Sequence, residues 1–379
     1  MPRTNGTVSR RDVLKLTGGS FAAVAAGAAG QAVAESPDRK IIGLTADAGF
    51  GVASRGARDV HREIDFGEIG KAVAGKFSDQ AVEALENNPN VRYVETDGQM
   101  QALGHYNDYY PWGINRVDAD VAHDYGYAGS GGDVAVVDTG IDAYHGDLQA
   151  NLGNGADFTG SGSWNDDNGH GTHVAGTVGA VQNGSGVIGV GHEITLHAVK
   201  VLDSNGGGSY SDIADGIRWA ADQGHDAINL SLGGGYSSAV RDAVRHAYYN
   251  RGALVVAAAG NDGCYDCVGY PAAHDEAIAV SAINQNDRLA SFSSYGPEIE
   301  LAAPGKDVWS TWPGDDYRQL DGTSMASPHV AGAGAHLMTV GYNNTDARSR
   351  LNNTAENLGL ASYEQGNGLV DVGTALGLN

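Results

Sequence analysis

Gly322-Thr323-Ser324-Met325-Ala326-Ser327-Pro328-His329 sets a serine among glycine and other small residues, at what reads as the mouth of a helix. A hydroxyl so placed can reach a substrate carbonyl. Serine alone is a poor nucleophile; it needs a base, and the base needs an orienter. Both stand upstream. Asp138 closes the apolar run Val134-Ala135-Val136-Val137, and His170 opens Gly169-His170-Gly171-Thr172-His173-Val174. Together the three could do acyl transfer: Ser324 attacks, His170 takes and returns the proton, and Asp138 fixes the imidazole tautomer. Asn261, after the run Val255–Gly260, can offer an amide donor to the oxyanion beside the backbone N–H of Ser324. Taken alone it reads as a turn asparagine. His173 follows His170 by one turn, which raises a metal pair instead. A zinc site wants a third ligand and none is evident, so His173 is expected to be a buried, hydrogen-bonded helix residue.

These side chains need elements to carry them. From about residue 106, apolar runs alternate with helix-period segments, the pattern of an α/β parallel sheet. Strands are expected at Val134–Val137, Leu196–Val201, Ala227–Leu230, Leu254–Ala258 and Ile278–Ala282. Helices are expected at Gly171–Ala180, Ser211–Gln223, Ala239–Tyr249 and Ser324–Thr339. The strands are almost continuously apolar, as in sheets covered on both faces. Ligands of such sheets gather at the carboxyl ends of strands, where Asp138, Ser231 and Asn261 all fall. Residues 35–105 read as a separate α+β unit. It has strands at Lys40–Leu44 and Val91–Glu95, a helix over Arg55–Phe66, and a second helix capped by Ser78.

The motifs Asp138-Thr139-Gly140, His170-Gly171-Thr172-His173 and Gly322-Thr323-Ser324-Met325-Ala326 resemble those of the subtilase family, in the order Asp, His, Ser. The resemblance covers roughly 106–379 and is closest to halophilic, halolysin-like members. It implies an α/β, subtilisin-like three-layer fold with a mostly parallel central sheet, preceded by a small α+β, ferredoxin-like propeptide. It implies a secreted serine endopeptidase of broad specificity, acting on polypeptides with no catalytic cofactor. In that family the propeptide assists folding and then inhibits; here it would be cut away near Gly104–Asn107. Gly206, Gly207 and Gly208 on one side, and Ser231, Leu232 and Gly233 on the other, resemble the two edges that clasp an extended peptide. Glycines there expose main-chain groups to which a strand can add, although Gly206–Gly208 alone would pass for a surface loop. Ala258, Ala259 and Gly260 resemble a wall of the pocket before the scissile bond, with Gly269 near its base. Structural calcium is implied at Asp147, Asn183 and the carbonyls of Val181, Ser185 and Val187, and at Asp108 near the domain's start. Oxygen-only ligands suit that ion.

Composition bounds the rest. The 379 residues carry a net charge of -23, with 23 cationic residues against 46 acidic ones. Glycine is 57 of the residues, about twice the usual ~7%. Long apolar runs exclude a disordered acidic chain. A folded protein with an acidic, lysine-poor surface tolerates such charge when salt screens it, so a halophilic protein is expected. The same charge excludes nucleic acid as a partner. Ser9-Arg10-Arg11-Asp12 before the weakly apolar, glycine-rich stretch Leu16–Ala34 looks like a twin-arginine export signal over residues 1–34, ending at Ala32-Val33-Ala34. Few leucines and several glycines argue against a membrane anchor there. An exported monomer is expected. Cys264 and Cys267, the only cysteines, are expected to form a disulfide that stiffens one loop.

Overall fold

The computed structural model describes residues 39–102, 105–106 and 111–378, all within one compact unit that runs from Asp38 to Asn379. The expected export signal, Asp108 and, of the expected cleavage region, Gly104 and Asn107 lie outside the described residues.

The first module runs β1 (Arg39–Leu44), α1 (Gly51–Ser54), β2 (Ala57–Asp65), β3 (Lys71–Phe77), α2 (Asp79–Glu86) and β4 (Val91–Thr96). Its antiparallel sheet has the order β2-β3-β1-β4, which is the split β-α-β arrangement of ferredoxin-like folds. Ser78 caps α2 through its Oγ, which accepts from Ala81 N, as its position before the helix suggests. Arg55–Phe66 is not a helix. Arg62, Ile64 and Phe66 recur every second residue and face the interior, so the segment satisfies the strand period and becomes β2. One face of this sheet, through Ile41, Ile64, Phe66, Ala72 and Ala74, joins a core shared with the larger domain.

Two short strands follow, β5 (Gln99–Ala102) and β6 (His105–Tyr106), then α3 (Trp112–Arg116) and α4 (Ala119–Asp124). Beyond them stands a seven-stranded sheet. Its strands are β7 (Asp133–Asp138), β8 (Leu152–Asp157), β9 (Thr195–Lys200), β11 (Ala227–Leu230), β13 (Leu254–Ala258), β14 (Ala277–Ile283) and β15 (Ile299–Pro304), in the order β15-β14-β13-β11-β7-β9-β8. Every pairing in it is parallel. Helices α5 (His170–Gly179) and α8 (Thr323–Thr339) cover one face; α6 (Tyr210–Gln223) and α7 (Ser238–Arg245) cover the other. The strand period sorts the side chains: Val134 and Val136 belong to the first core, Ala135 and Val137 to the second. Between these elements lie β10 (Gly207–Ser209) and β12 (Leu232–Gly233); the hairpin β16 (Val308–Trp312) and β17 (Asp316–Asp321) precedes α8, and α9 (Asn344–Thr354) follows it. The five expected strands and four expected helices of this domain all form, within a residue or two at most ends.

Candidate active site

Asp138 is the last residue of β7 and its side chain is fully buried. Oδ1 accepts from Thr139 N at 2.7 Å, and His170 Nδ1 lies 2.9 and 3.0 Å from the two carboxylate oxygens. His170 opens α5, and a third residue locks that helix start to the end of β7. Asp166 accepts from Thr139 Oγ1, Asn168 N, Gly169 N, Thr172 N and Thr172 Oγ1 at 2.6–2.9 Å. An acid before a helix caps its free N–H groups and opposes its dipole. A Cβ on Gly171 would stand 2.1 Å from Gly140 O, so only glycine allows this approach. Sequence reasoning passed over Asp166; its signal was an acid four residues ahead of the histidine at a helix entry. It also passed over Lys200, the strand neighbour of Asp138. Its buried ammonium donates to Thr139 O, Leu202 O and Asp167 Oδ1, which satisfies a charge that could not otherwise be buried.

Ser324 is the second residue of α8, so its amide N–H has no intrahelical partner. Its Oγ donates to Ser231 O at 3.2 Å, one residue past β11, the strand beside β7. The helix start is tied to the same serine from the other side. Pro328 has no N–H to offer the carbonyl four residues back. Ser324 O instead accepts from Ser231 Oγ at 2.8 Å, and that hydroxyl also meets Ser327 Oγ and accepts from Asn229 Nδ2. Thr323 sets the asparagine. Its N and Oγ1 both donate to Asn261 Oδ1 at 3.0 Å, while Gly260 N donates to Thr323 Oγ1. A backbone N–H can only meet the oxygen end of an amide, so the Asn261 NH2 faces the other way. Ser324 and His170 stand on helices α8 and α5, which pack against each other.

A cleft with two main-chain edges runs past these groups. β5 lies between them, antiparallel to both: Gly207 pairs with Gln101 and Gly208 with Met100 on one side, Leu232 with Ala102 and Gly233 with Gln101 on the other. Gly207 and Gly208 are thus true edge residues rather than loop; Gly206 turns the chain into the edge with φ +76°. Beyond the gap β6 pairs with β17, His105 with Asp321 and Tyr106 with Leu320. The expected pocket residues converge: Ala258 ends β13, Gly269 N donates to Ala259 O at 2.9 Å, and Gly234 exchanges backbone bonds with Tyr270. A disulfide joins Cys264 and Cys267 on the exposed loop between Asn261 and Gly269.

His173 is buried and its Nε2 lies 3.1 and 3.0 Å from Val308 O and Arg318 O; burial holds its pKa down to about 3. It is the structural residue expected. The loop after α5 brings Asn183 and Asp147 together. Asp147 Oδ1 accepts from Asn183 Nδ2 at 2.8 Å, and Oδ2 accepts from Val187 N and Tyr317 OH. A Cβ on Gly186 would meet Asp147 Oδ2 at 1.9 Å, so the loop backbone is wrapped against the carboxylate. Calcium takes oxygen ligands. Asn183 Oδ1 accepts from Ser185 N and Oγ at 3.0 and 2.9 Å, so a calcium ion here would require those bonds to break and the amide to turn its oxygen toward Asp147, with Val181, Ser185 and Val187 in the same loop to supply carbonyls.

Residues 129–368 match the model of the subtilase family. An alkaline protease of Alkalihalobacillus alcalophilus is 46% identical over 303 residues, covering 79% of this chain and 78% of that protein. Subtilisin DY of Bacillus licheniformis is 48% identical over 272 residues, 70% of this chain and 98% of its own length. Subtilisin E of Bacillus subtilis is 44% identical over 311 residues, 80% of each. These relatives are bacterial alkaline proteases and subtilisins rather than halolysins.

Proposed function

The chain belongs to the subtilase family and is a serine endopeptidase, and we propose that Asp138, His170 and Ser324 carry its chemistry on extended polypeptides. Ser324 Oγ attacks the scissile carbonyl as His170 Nε2 takes its proton. The oxyanion is met by the Asn261 NH2 and the Ser324 N–H. The imidazolium returns its proton to the leaving amine, and water repeats the sequence on the acyl-enzyme. Asp138 holds Nδ1–H throughout. The Asp138–His170 contact and the turned-out Asn261 amide support these roles.

The observation that carries the reading is the strand β5. It pairs main chain to main chain with β10 and β12, which supports a cleft that reads backbone and accepts many sequences. It also supports residues 35–105 as an inhibitory propeptide, filling the cleft in cis. Leu232, which pairs with Ala102, follows Ser231, whose carbonyl meets Ser324 Oγ, so β5 ends close to the proposed nucleophile. We therefore take the maturation site to lie just beyond β5, near Gly104–Asn107, with the pocket of Ala258, Ala259, Gly260 and Gly269 receiving the residue before the cut. Ser324→Ala should accumulate as full-length precursor, and wild type should yield a mature chain beginning near Gly104–Asn107. A correctly trimmed Ser324→Ala product, or a mature N-terminus before Ala102 or beyond Pro111, overturns this scheme.

Export by the twin-arginine route, growth in high salt with a kinship to halolysins, and structural calcium at Asp147 and Asn183 complete the proposal. They rest on Arg10-Arg11, the net charge of -23 and the wrapped loop 181–187. No described helix is long and apolar enough to cross a membrane. Activity in molar salt should rise as the imidazole loses its proton, toward a neutral-to-alkaline optimum.

A further inference from the structure

At the opposite end of the sheet from Ser324, three side chains that the peptidase reading does not use meet. Asp133 begins β7, five residues and roughly 16 Å before Asp138. His197 lies on β9, and His225 sits in the turn that enters β11. One ligand atom from each of Asp133, His197 and His225 lies within 4.8 Å of the others. Both histidines are buried, at 7% and 6% exposure, while the Asp133 carboxylate is open to solvent.

The hydrogen bonding is short of one cation. His197 Nε2 is 2.8 Å from Asp133 Oδ1, while Nδ1 faces Asn154 O at 3.3 Å and the Asn154 Oδ1 beside it. Both ring nitrogens thus face acceptors, but a neutral imidazole has only one N–H. If Nδ1–H is donated to Asn154, the Nε2 lone pair points at a carboxylate. His225 stacks on His197 with ring centroids 3.8 Å apart, and its buried Nε2 has no hydrogen-bond partner. An orphaned ring nitrogen beside a carboxylate–imidazole pair that wants a cation between its atoms is the chemistry of a metal site. The Asn154 contact is the outer bond that orients a ligating histidine.

We propose that Asp133, His197 and His225 bind one borderline divalent transition cation of the zinc class, with water completing the coordination. Two imidazoles and one carboxylate suit zinc, nickel or copper rather than calcium or magnesium. Ligand atoms on a tetrahedral zinc, with bonds of about 2.0–2.1 Å, stand about 3.4 Å apart. Closing the site therefore asks each side chain for a shift of about 1 Å, and the stacked rings must splay. The ion would staple β7, β9 and the entry to β11 at the end remote from peptide hydrolysis, and so act on stability.

The test uses the full chain carrying Ser324→Ala, which prevents self-digestion. It is stripped with chelator and titrated with zinc chloride by calorimetry, and with cobalt chloride by visible absorption. One equivalent should bind, with a cobalt d–d spectrum of a nitrogen/oxygen site. At a hundredfold excess of zinc over Kd, Tm should rise on the order of 5 °C. Adding His225→Ala should weaken binding at least tenfold and alter the cobalt spectrum. Asp133→Asn, at a solvent-open side chain that keeps the fold, should do the same if the histidine variant does not fold. His192→Ala, outside the cluster, should change neither. No uptake, or uptake that Asp133→Asn and His225→Ala both leave intact, overturns the site; the first outcome would mean that a proton on His197 already supplies the missing charge.

Discussion

Pro328 and Thr323 shape the surroundings of Ser324, the proposed nucleophile. One withholds an N–H, so that Ser324 O turns to Ser231; the other fills the Asn261 oxygen, so that the amide's donors face the cleft. Two consequences belong to this scale. Asn261→Ala removes an oxyanion donor and should cut kcat with little change in KM. The size expected, about 10²–10³-fold, is the one known for this donor in subtilisin rather than one derived from this geometry. Thr323→Val keeps the backbone donor but loses the hydroxyl. It should lower kcat less than Asn261→Ala does, and the double variant should be no worse than Asn261→Ala alone, because the threonine acts through the amide. Additive losses in steady-state kinetics would show that it acts on its own. Asp138, His170, Ser324 and Asn261 could be singled out in sequence because each sits in a tight small-residue motif. Asp166, Thr323 and Lys200 were not, since their partners lie in other segments and an isolated acid, hydroxyl or lysine has a solvated surface as its default reading.

At the scale of elements, the end of β4 is fastened to two helix entries. Glu95 accepts from Ser237 Oγ, Ser238 N and Ala239 N at the start of α7; Asp97 accepts from Ser211 N and Oγ at the start of α6. Arg62 of β2 pairs with Asp212 and Asp215, and Arg92 of β4 with Asp242. Glu95→Ala leaves Ser237 Oγ capping α7 through Val240 N but takes away the acceptor of Ser238 N and Ala239 N, and should destabilise the uncut precursor by about 1–2 kcal/mol. Thermal scans of the uncut Ser324→Ala precursor with and without Glu95→Ala check this; an unchanged Tm would mean that these bonds do not hold the module. The loop 181–187 gives a second prediction. Chelator should lower Tm in high salt, and Asp147→Ala should abolish that response; an unchanged Tm in wild type removes calcium from the proposal. The parallel strands could be read from sequence because both faces are buried and the runs are apolar. β8, Leu-Gly-Asn-Gly-Ala-Asp, could not, because it is an edge held by pairing with β9 and not by its own hydrophobicity. Arg55–Phe66 was misread because charged residues on the exposed face of β2 mask its period of two.

For the whole molecule, charge and buried imidazoles set the working conditions. Burial holds His173 down to about 3 and His274, His329 and His336 to about 4. Each takes a proton near pH 6.5 once unfolded, so the unfolded chain binds more protons than the folded one below that pH. Their contribution is complete above about 6.5 and is lost as the pH falls toward 4, on the order of several kcal/mol per pH unit around pH 5. Protonation of the 46 acidic residues relieves repulsion only at lower pH, so urea midpoints of Ser324→Ala should already drop between pH 6.5 and 5. A flat profile there would mean that these rings accept protons without unfolding. The net charge of -23 predicts loss of far-UV CD on dialysis to low ionic strength; a spectrum indifferent to salt would separate this acidic surface from any need for brine.

The gap between β10 and β12 grips whatever backbone lies in it, and backbone carries no mark of self. A neighbouring copy is therefore as eligible a meal as any other polypeptide, provided some stretch of it can straighten and enter. Gln182 to Gly186 are five consecutive exposed residues, and the tether from Asn183 to Asp147 is what keeps them curled. The lifetime of a population of these molecules in one another's company would then be governed less by how firmly their cores are built than by how tightly that single bight is fastened.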